Sequence, residues 1–288
     1  MANTISRNTV QAGGDHSIIA YPAEIGGVQT RVLRAGVEGP PVIFVHGVGA
    51  RADRWRRNLA AIAASGRRCF AIDLPGHGFA YKGKGFEYGA FGYASFISRF
   101  IDEQELSGVH LVGSSLGGHI AGIVACERPG LLRSLSLIGA TGMFPIGDES
   151  RAAIAARLVD LSREGIERKM KNVIYDESLL TRAYLDEEAA INNSPKAAES
   201  FRMLADYFKT DLDRDVVGER LAALDPFPPT LLVWGEEDRS VPLAVGLKTR
   251  RLLRKADFEV IPRTAHAPYW EDPDTFNVVL ERFLDSAG

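Results

Sequence analysis

The sequence predicts an α/β fold: a mostly parallel sheet with helices on both faces and a helical cap inserted late in the repeat. Three observations carry this. Short strand-like segments such as Pro41–Val45 and Val109–Val112 alternate with segments of helical spacing. The alternation stops between residues 143 and 224, where helix-patterned segments follow one another without a convincing strand. It then resumes to the end of the chain, as a βαβα sheet interrupted once would require.

Taken in order, Ser17–Tyr21 and Val28–Leu33 alternate around Gly26-Gly27, the pattern of an antiparallel hairpin. Pro41–Val45 is continuously apolar, which suits a strand buried on both faces. Helical spacing over Ala52–Ala64, a strand at Arg68–Ile72, a helix over Tyr93–Glu105 and a strand at Val109–Val112 come next. Leu116–Glu127 is a helix stopped by Pro129-Gly130, and Ser134–Ile138 is a strand. Helical segments are expected at Arg151–Arg163, Ile166–Val173, Leu179–Asn192 and Pro195–Thr210. Thr230–Trp234, Pro242–Leu253, Phe258–Ile261 and Pro273–Leu284 then read strand, helix, strand, helix. The predicted division is a core over 1–142, a cap over 143–224 and the rest of the core over 225–288. A cap so inserted would cover the carboxyl edge of the sheet, where open α/β folds bind ligands.

Composition narrows the function classes. The chain has 288 residues, 45% hydrophobic and 25% charged, as an ordinary globular protein has. Its formal net charge is −3 and no basic run carries interleaved aromatics, so neither nucleic acid nor an anionic membrane is an expected partner. The first 15 residues are polar, unlike a signal peptide, and no segment reaches the roughly 20 apolar residues of a membrane span. Cys69 and Cys126 form no C-x-x-C pair and no disulfide framework, so a reducing cytoplasm is the expected compartment. The expected partners are a small-molecule substrate and, at most, a second copy of the chain in a homodimer.

The chemistry centres on Gly113-Ser114-Ser115-Leu116-Gly117, between a predicted strand and a predicted helix. A chain turning sharply there crowds the positions two before and two after the apex, hence G-x-S-x-G. With Ser115 at the apex those positions are Gly113 and Gly117; with Ser114 they would be Val112 and Leu116. Ser115 is therefore the candidate nucleophile. A serine hydroxyl needs a base, and the base an orienting acid, in the chain order Ser, acid, His. His266 follows the last predicted strand and Asp238 the one before it; Glu236 and Glu237 are competing acids. His46 and His77, in Gly-rich loops, are expected to be structural hydrogen-bonders, and His16, His110 and His119 are placed poorly for a base. The N–H groups of Leu116 and Val48 are the candidates for an oxyanion hole. Met143, Phe144 and Trp270, with Tyr207, Phe208 and Tyr269, are candidates to line an apolar pocket. No metal cluster or nucleotide loop is present, so no cofactor is expected.

His46-Gly47, Asp73-Leu-Pro-Gly-His-Gly78, the elbow at Ser115, Trp234-Gly-Glu-Glu-Asp238 and Ala265-His266-Ala-Pro-Tyr-Trp-Glu271 together resemble the α/β-hydrolase superfamily, over nearly the whole chain. The resemblance implies an eight-stranded sheet and a serine hydrolase with a helical cap. The aspartate-nucleophile branches, haloalkane dehalogenases and epoxide hydrolases, do not match the serine apex. Val173–Leu180 and Trp55-Arg-Arg-Asn58 resemble the meta-cleavage-product hydrolases, which split a carbon–carbon bond. The chain departs from that group at three places: Ser114 stands where it usually has Asn, Ala267 where it has Trp, and Ala189–Asn192 holds no cap arginine. The leading expectation is thus hydrolysis of a small carboxylic ester or lactone. Carbon–carbon hydrolysis is the alternative, and a ligand receptor or pseudoenzyme on the same fold the third reading.

Overall fold

The computed structural model describes residues 17–288; His16 and the polar stretch before it lie outside the described residues. The hairpin β1 (Ile19–Ile25) and β2 (Val28–Ala35) opens the fold, followed by β3 (Pro41–Val45), α1 (Arg56–Ala64) and β4 (Arg68–Ile72). Next come α2 (Ala90–Glu103), β5 (Val109–Ser114), α3 (Leu116–Glu127) and β6 (Leu132–Ile138). Five helices stand between β6 and the next strand: α4 (Asp148–Leu158), α5 (Arg163–Val173), α6 (Arg182–Asn192), α7 (Ala197–Thr210) and α8 (Gly218–Ala222). The chain closes with β7 (Thr230–Gly235), α9 (Leu243–Leu252), β8 (Asp257–Ile261), α10 (Pro268–Glu271) and α11 (Pro273–Ser286).

The eight strands lie in the order β1-β2-β4-β3-β5-β6-β7-β8. β1 and β2 pair antiparallel, as do β2 and β4; every other pair is parallel. β3 and β5 are buried at every position, because both faces of the sheet carry helices, and β3 is accordingly apolar throughout. The sheet divides the apolar interior in two. Ile43, Val45 and Leu111 pack with α2 and α3 on one side, while Val42, Phe44 and Val112 pack with Trp55, α1 and α11 on the other.

Several predicted helices are shorter than their periodicity, because side chains offer the backbone other partners. Ala52 gives its N–H to Asp73 (2.8 Å), so the chain makes a 3-10 turn over Ala52–Trp55 before α1. The segment predicted as one helix over 151–163 breaks at Asp160, which accepts the Ser162 N–H; Ser162 then caps α5 by accepting from Gly165 (3.0 Å). Thr181 starts α6 in the same way.

A buried charge cluster ties the insertion to the core. Arg51 pairs with Glu187 and Glu188 of α6 and, at 3.0 Å, with Asp53; Arg54 reaches Glu188 at 3.5 Å. Glu188 is 2% exposed, and Arg51 and Arg54 meet its carboxylate from two sides. Among the described residues no helix is long and apolar enough to cross a membrane, and Cys69 and Cys126 are free thiols.

Candidate active site

β5 delivers Ser115 to the carboxyl edge of the sheet, and α3 starts at the next residue. The turn between them holds Ser115 at φ 56° and ψ −119°, a conformation L residues rarely adopt. Its cost is met locally. Ser115 N–H donates to Ile138 O (2.9 Å), and its carbonyl accepts from Gly118, His119 and Thr141 (3.0–3.2 Å). A Cβ at Gly113 would collide with the Gly117 carbonyl, and one at Gly117 with the Val45 carbonyl. The steric choice of Ser115 over Ser114 therefore has its physical counterpart. Ser114 is 2% exposed and lies beside the Tyr269 phenol.

The loops after β7 and β8 bring Asp238 and His266 together, with His266 Nδ1 donating to Asp238 Oδ2 at 2.7 Å. The second carboxylate oxygen accepts the N–H groups of Ser240 and Val241, each at 2.8 Å. The three adjacent acids differ in burial: Glu236 and Glu237 are exposed, while Asp238 is 7% exposed. Burial pulls the His266 pKa down, but the Asp238 charge and hydrogen bond, with Glu271 behind them, outweigh it and leave it above 6.5. Gly139, just past β6, is what allows the pair to sit there. A Cβ at that residue would stand 3.0 Å from His266 Nδ1 and 3.1 Å from Asp238 Oδ2. Nothing in the sequence reading singled Gly139 out; a glycine directly after a strand that borders the elbow strand was the available signal.

The other described histidines are held neutral by burial. His46 is pushed down to about 4; its Nδ1 donates to Gly47 O (2.8 Å) and its Nε2 accepts from Leu74 N–H (2.9 Å), bridging two loops at the sheet edge. His77 falls to about 3, with Nδ1 donating to Pro75 O. His110 bonds Ser134 and His119 bonds the Asp215 carbonyl, each at 2.7 Å.

The loop over residues 46–50 comes up against the elbow. A Cβ at Gly47 would stand 2.9 Å from Ser115 Cβ and 3.5 Å from its Oγ. Val48 N–H lies on this loop and Leu116 N–H at the first position of α3, where an N–H has no intrahelical acceptor. Among the described residues neither donates to another group.

The residues expected to line an apolar pocket have other neighbours. Met143 packs between α3 and α8, its Cε facing Gly122 and its carbonyl facing Gly218. Phe144 lies under the Lys248 ammonium, 3.8 Å from its ring centre. Trp270 stacks beneath Arg54 (4.6 Å) at the seam with the insertion. These contacts place the three side chains between elements of the core and the insertion. Two cavities, about 460 and 510 Å³, open elsewhere along the seam; no Ser115, Asp238 or His266 atom lines either.

The model of the alpha/beta hydrolase family matches residues 42–278. The 2-hydroxy-6-oxo-6-phenylhexa-2,4-dienoate hydrolase of Burkholderia cepacia is 30% identical over 256 residues, which is 86% of this chain and 88% of that protein. The dihydrolipoyllysine-residue acetyltransferase component of the acetoin cleaving system of Cupriavidus necator is 28% identical over 277 residues, 95% of this chain and 71% of its own length. A solved meta-cleavage product hydrolase from Pseudomonas fluorescens superposes with a TM-score of 0.82 at 27% identity, over 93% of this chain and 98% of that one. With the family model spanning both flanks of the insertion and the strand order already described, the chain belongs to the alpha/beta hydrolase family.

Proposed function

We propose that the chain is a serine hydrolase that opens a small carboxylic ester or lactone through an acyl-enzyme on Ser115. The observation that carries this is the buried His266–Asp238 pair, 2.7 Å apart, set at the same sheet edge as the strained Ser115. In this reading Asp238 holds His266 with its proton on Nδ1, so Nε2 is free to take the Ser115 proton as Oγ attacks the carbonyl. The developing oxyanion is met by the Leu116 and Val48 N–H groups. The imidazolium then returns its proton to the leaving alcohol, and water repeats the sequence to release the acid. The helical insertion α4–α8 serves as a cap that keeps bulk water from the acyl-enzyme.

A second reading, hydrolysis of a carbon–carbon bond, is favoured by the relatives, whose names describe dienoate hydrolases. It uses the same acyl transfer but expels a carbon, which must receive a proton. Against it stands Ser114, a serine where the carbon–carbon hydrolases usually have Asn. The two readings separate in one experiment. Purified protein is given p-nitrophenyl butyrate and, separately, a ring-fission dienoate followed by its visible absorbance. The ester is expected to have the higher kcat/KM. A higher value for the dienoate would install the second reading, and inertness towards both, with no fluorophosphonate labelling of Ser115, would remove the hydrolase altogether.

The raised His266 pKa predicts the acid side of the pH profile. The base works only when neutral, so activity falls as pH drops through the folded-state pKa. Because Asp238 lifts that value, the acid limb of kcat/KM is expected above pH 6.5 rather than at or below it. An acid limb centred below 6.5 would mean that Asp238 does not govern the base.

A further inference from the structure

The C-terminal end of α5 is bonded to the loops that carry Asp238 and His266. The last carbonyls of an α-helix have no intrahelical N–H to accept, so they take partners from elsewhere. Here three in a row do so. Lys171 O accepts from Arg239 Nη1 (3.0 Å), Asn172 O from Ser240 Oγ (3.3 Å) and Val173 O from the His266 N–H (2.9 Å). Arg239 and Ser240 directly follow Asp238, and the Ser240 N–H is one of the two donors to its Oδ1.

One side chain repeats this link. Glu271, the last residue of α10, turns back over the loop that holds the base. Its Oε1 accepts the Ala265 N–H (2.8 Å) and its Oε2 the Tyr175 N–H (2.5 Å), two residues past the end of α5. The backbone donors of Ala265 and His266 therefore both end on the insertion, the first through Glu271 and the second directly. Ala265 is fully buried and Glu271 half-buried, so losing an acceptor here would strand an N–H away from water.

Two N–H donors, one on each oxygen, suit an ionised carboxylate; a proton would set an O–H against one of them. Burial raises the Glu271 pKa, and the Tyr175 and Ala265 donors oppose that rise. The ionisable groups that act on the His266 imidazole are Asp238, from the loop after β7, and Glu271, from α10. Around the same residue, the end of β6 presents Gly139 and α5 the Val173 carbonyl, neither of them charged. Glu271 is thus a second negative charge on the base, behind the one that holds its Nδ1.

We propose that Glu271 is a positioning residue for the base: its carboxylate locks the His266 loop to the insertion, and its charge supports the imidazolium formed when Ser115 gives up its proton. This rests on the hydrolase reading above and adds what holds the base of that same site in place.

The test titrates the His266 imidazole by NMR in Ser115→Ala protein, with and without Glu271→Gln. The signal is assigned by its loss in His266→Asn. Burial holds His46, His110 and His119 at about 4 and His77 at about 3, well apart from it. Turnover of p-nitrophenyl butyrate is measured with Ser115 restored. Glutamine offers one acceptor to two N–H donors, so it loses a bond as well as the charge. In Glu271→Gln the imidazole is expected to titrate at lower pH, and kcat to fall about 10-fold with KM within about twofold. Glu271→Asp keeps the charge but is too short to span both donors. Its kcat should fall as well, while its imidazole titrates above that of Glu271→Gln. An imidazole that titrates at the same pH with and without Glu271→Gln, or a kcat that Glu271→Gln leaves unchanged, overturns the proposal. Should Glu271→Gln fail to fold, Glu271→Asp decides, and a kcat equal to that of the unaltered protein overturns it. If no ester is turned over, the titration alone decides and only the hydrolase reading is lost.

Discussion

Ser115→Ala is expected to lower turnover of any accepted ester by about 10⁴- to 10⁶-fold, the loss that follows when a covalent nucleophile is removed and binding is left intact. The replacement keeps Cβ, and with it the packing against Gly47, so the fold should be undisturbed. Ser114 cannot take over. It is 2% exposed, and moving the apex back one residue would put Val112 and Leu116 where only glycine fits. A companion variant reads the strain. Ser115 is held at φ 56°, ψ −119°, and such a conformation costs about 1–3 kcal/mol for a residue with a Cβ. Ser115→Gly should therefore be equally inactive yet melt about 2–5 °C higher. Burst titration with p-nitrophenyl butyrate and a thermal scan measure both effects. Turnover within tenfold of the unaltered protein would assign the nucleophile elsewhere.

Asp238→Asn should cost about 10⁴-fold in kcat while the structure stays in place. The direction follows from the hydrogen bonds around the carboxylate. Oδ1 accepts from two backbone N–H groups, Ser240 and Val241, at 2.8 Å each. An asparagine keeps both bonds only if its carbonyl takes that position, which turns its NH₂ toward His266 Nδ1. The imidazole must then accept at Nδ1 and carry its proton on Nε2, the tautomer that cannot take a proton from Ser115. Loss of the charge also removes what holds the His266 pKa up, so the residual activity should show an acid limb shifted to lower pH. Glu236 and Glu237 offer no rescue, since both face solvent. A loss under tenfold would mean that one of them, or another acid, orients the base.

The elbow was readable in one dimension because its constraint is local: a tight turn excludes Cβ atoms at fixed offsets, and Gly113 and Gly117 stand at them. The same holds for β3, whose burial on both faces leaves an unbroken apolar run. Helix boundaries were less readable, because Asp73, Asp160 and Ser162 redirect backbone N–H groups through side chains whose reach periodicity does not register. The choice among Glu236, Glu237 and Asp238 was left open by order along the chain. Burial separates them: Asp238 alone of the three is buried, with two backbone donors aimed at one oxygen and His266 at the other.

What the sequence by itself determined is the sheet, the run of helices between β6 and β7, and the order in which Ser115, Asp238 and His266 follow one another, each written in spacing between neighbours along the chain. What only the tertiary structure decided is the company those residues keep. Gly139 makes room for the His266–Asp238 pair from another strand. Phe144 meets Lys248, Trp270 meets Arg54, and Lys169 comes down from α5 onto Gly49, 120 residues away in sequence. The physical reason is range. Turn sterics and strand burial act between residues a few positions apart, whereas charge compensation and close approach act between any atoms that folding brings together.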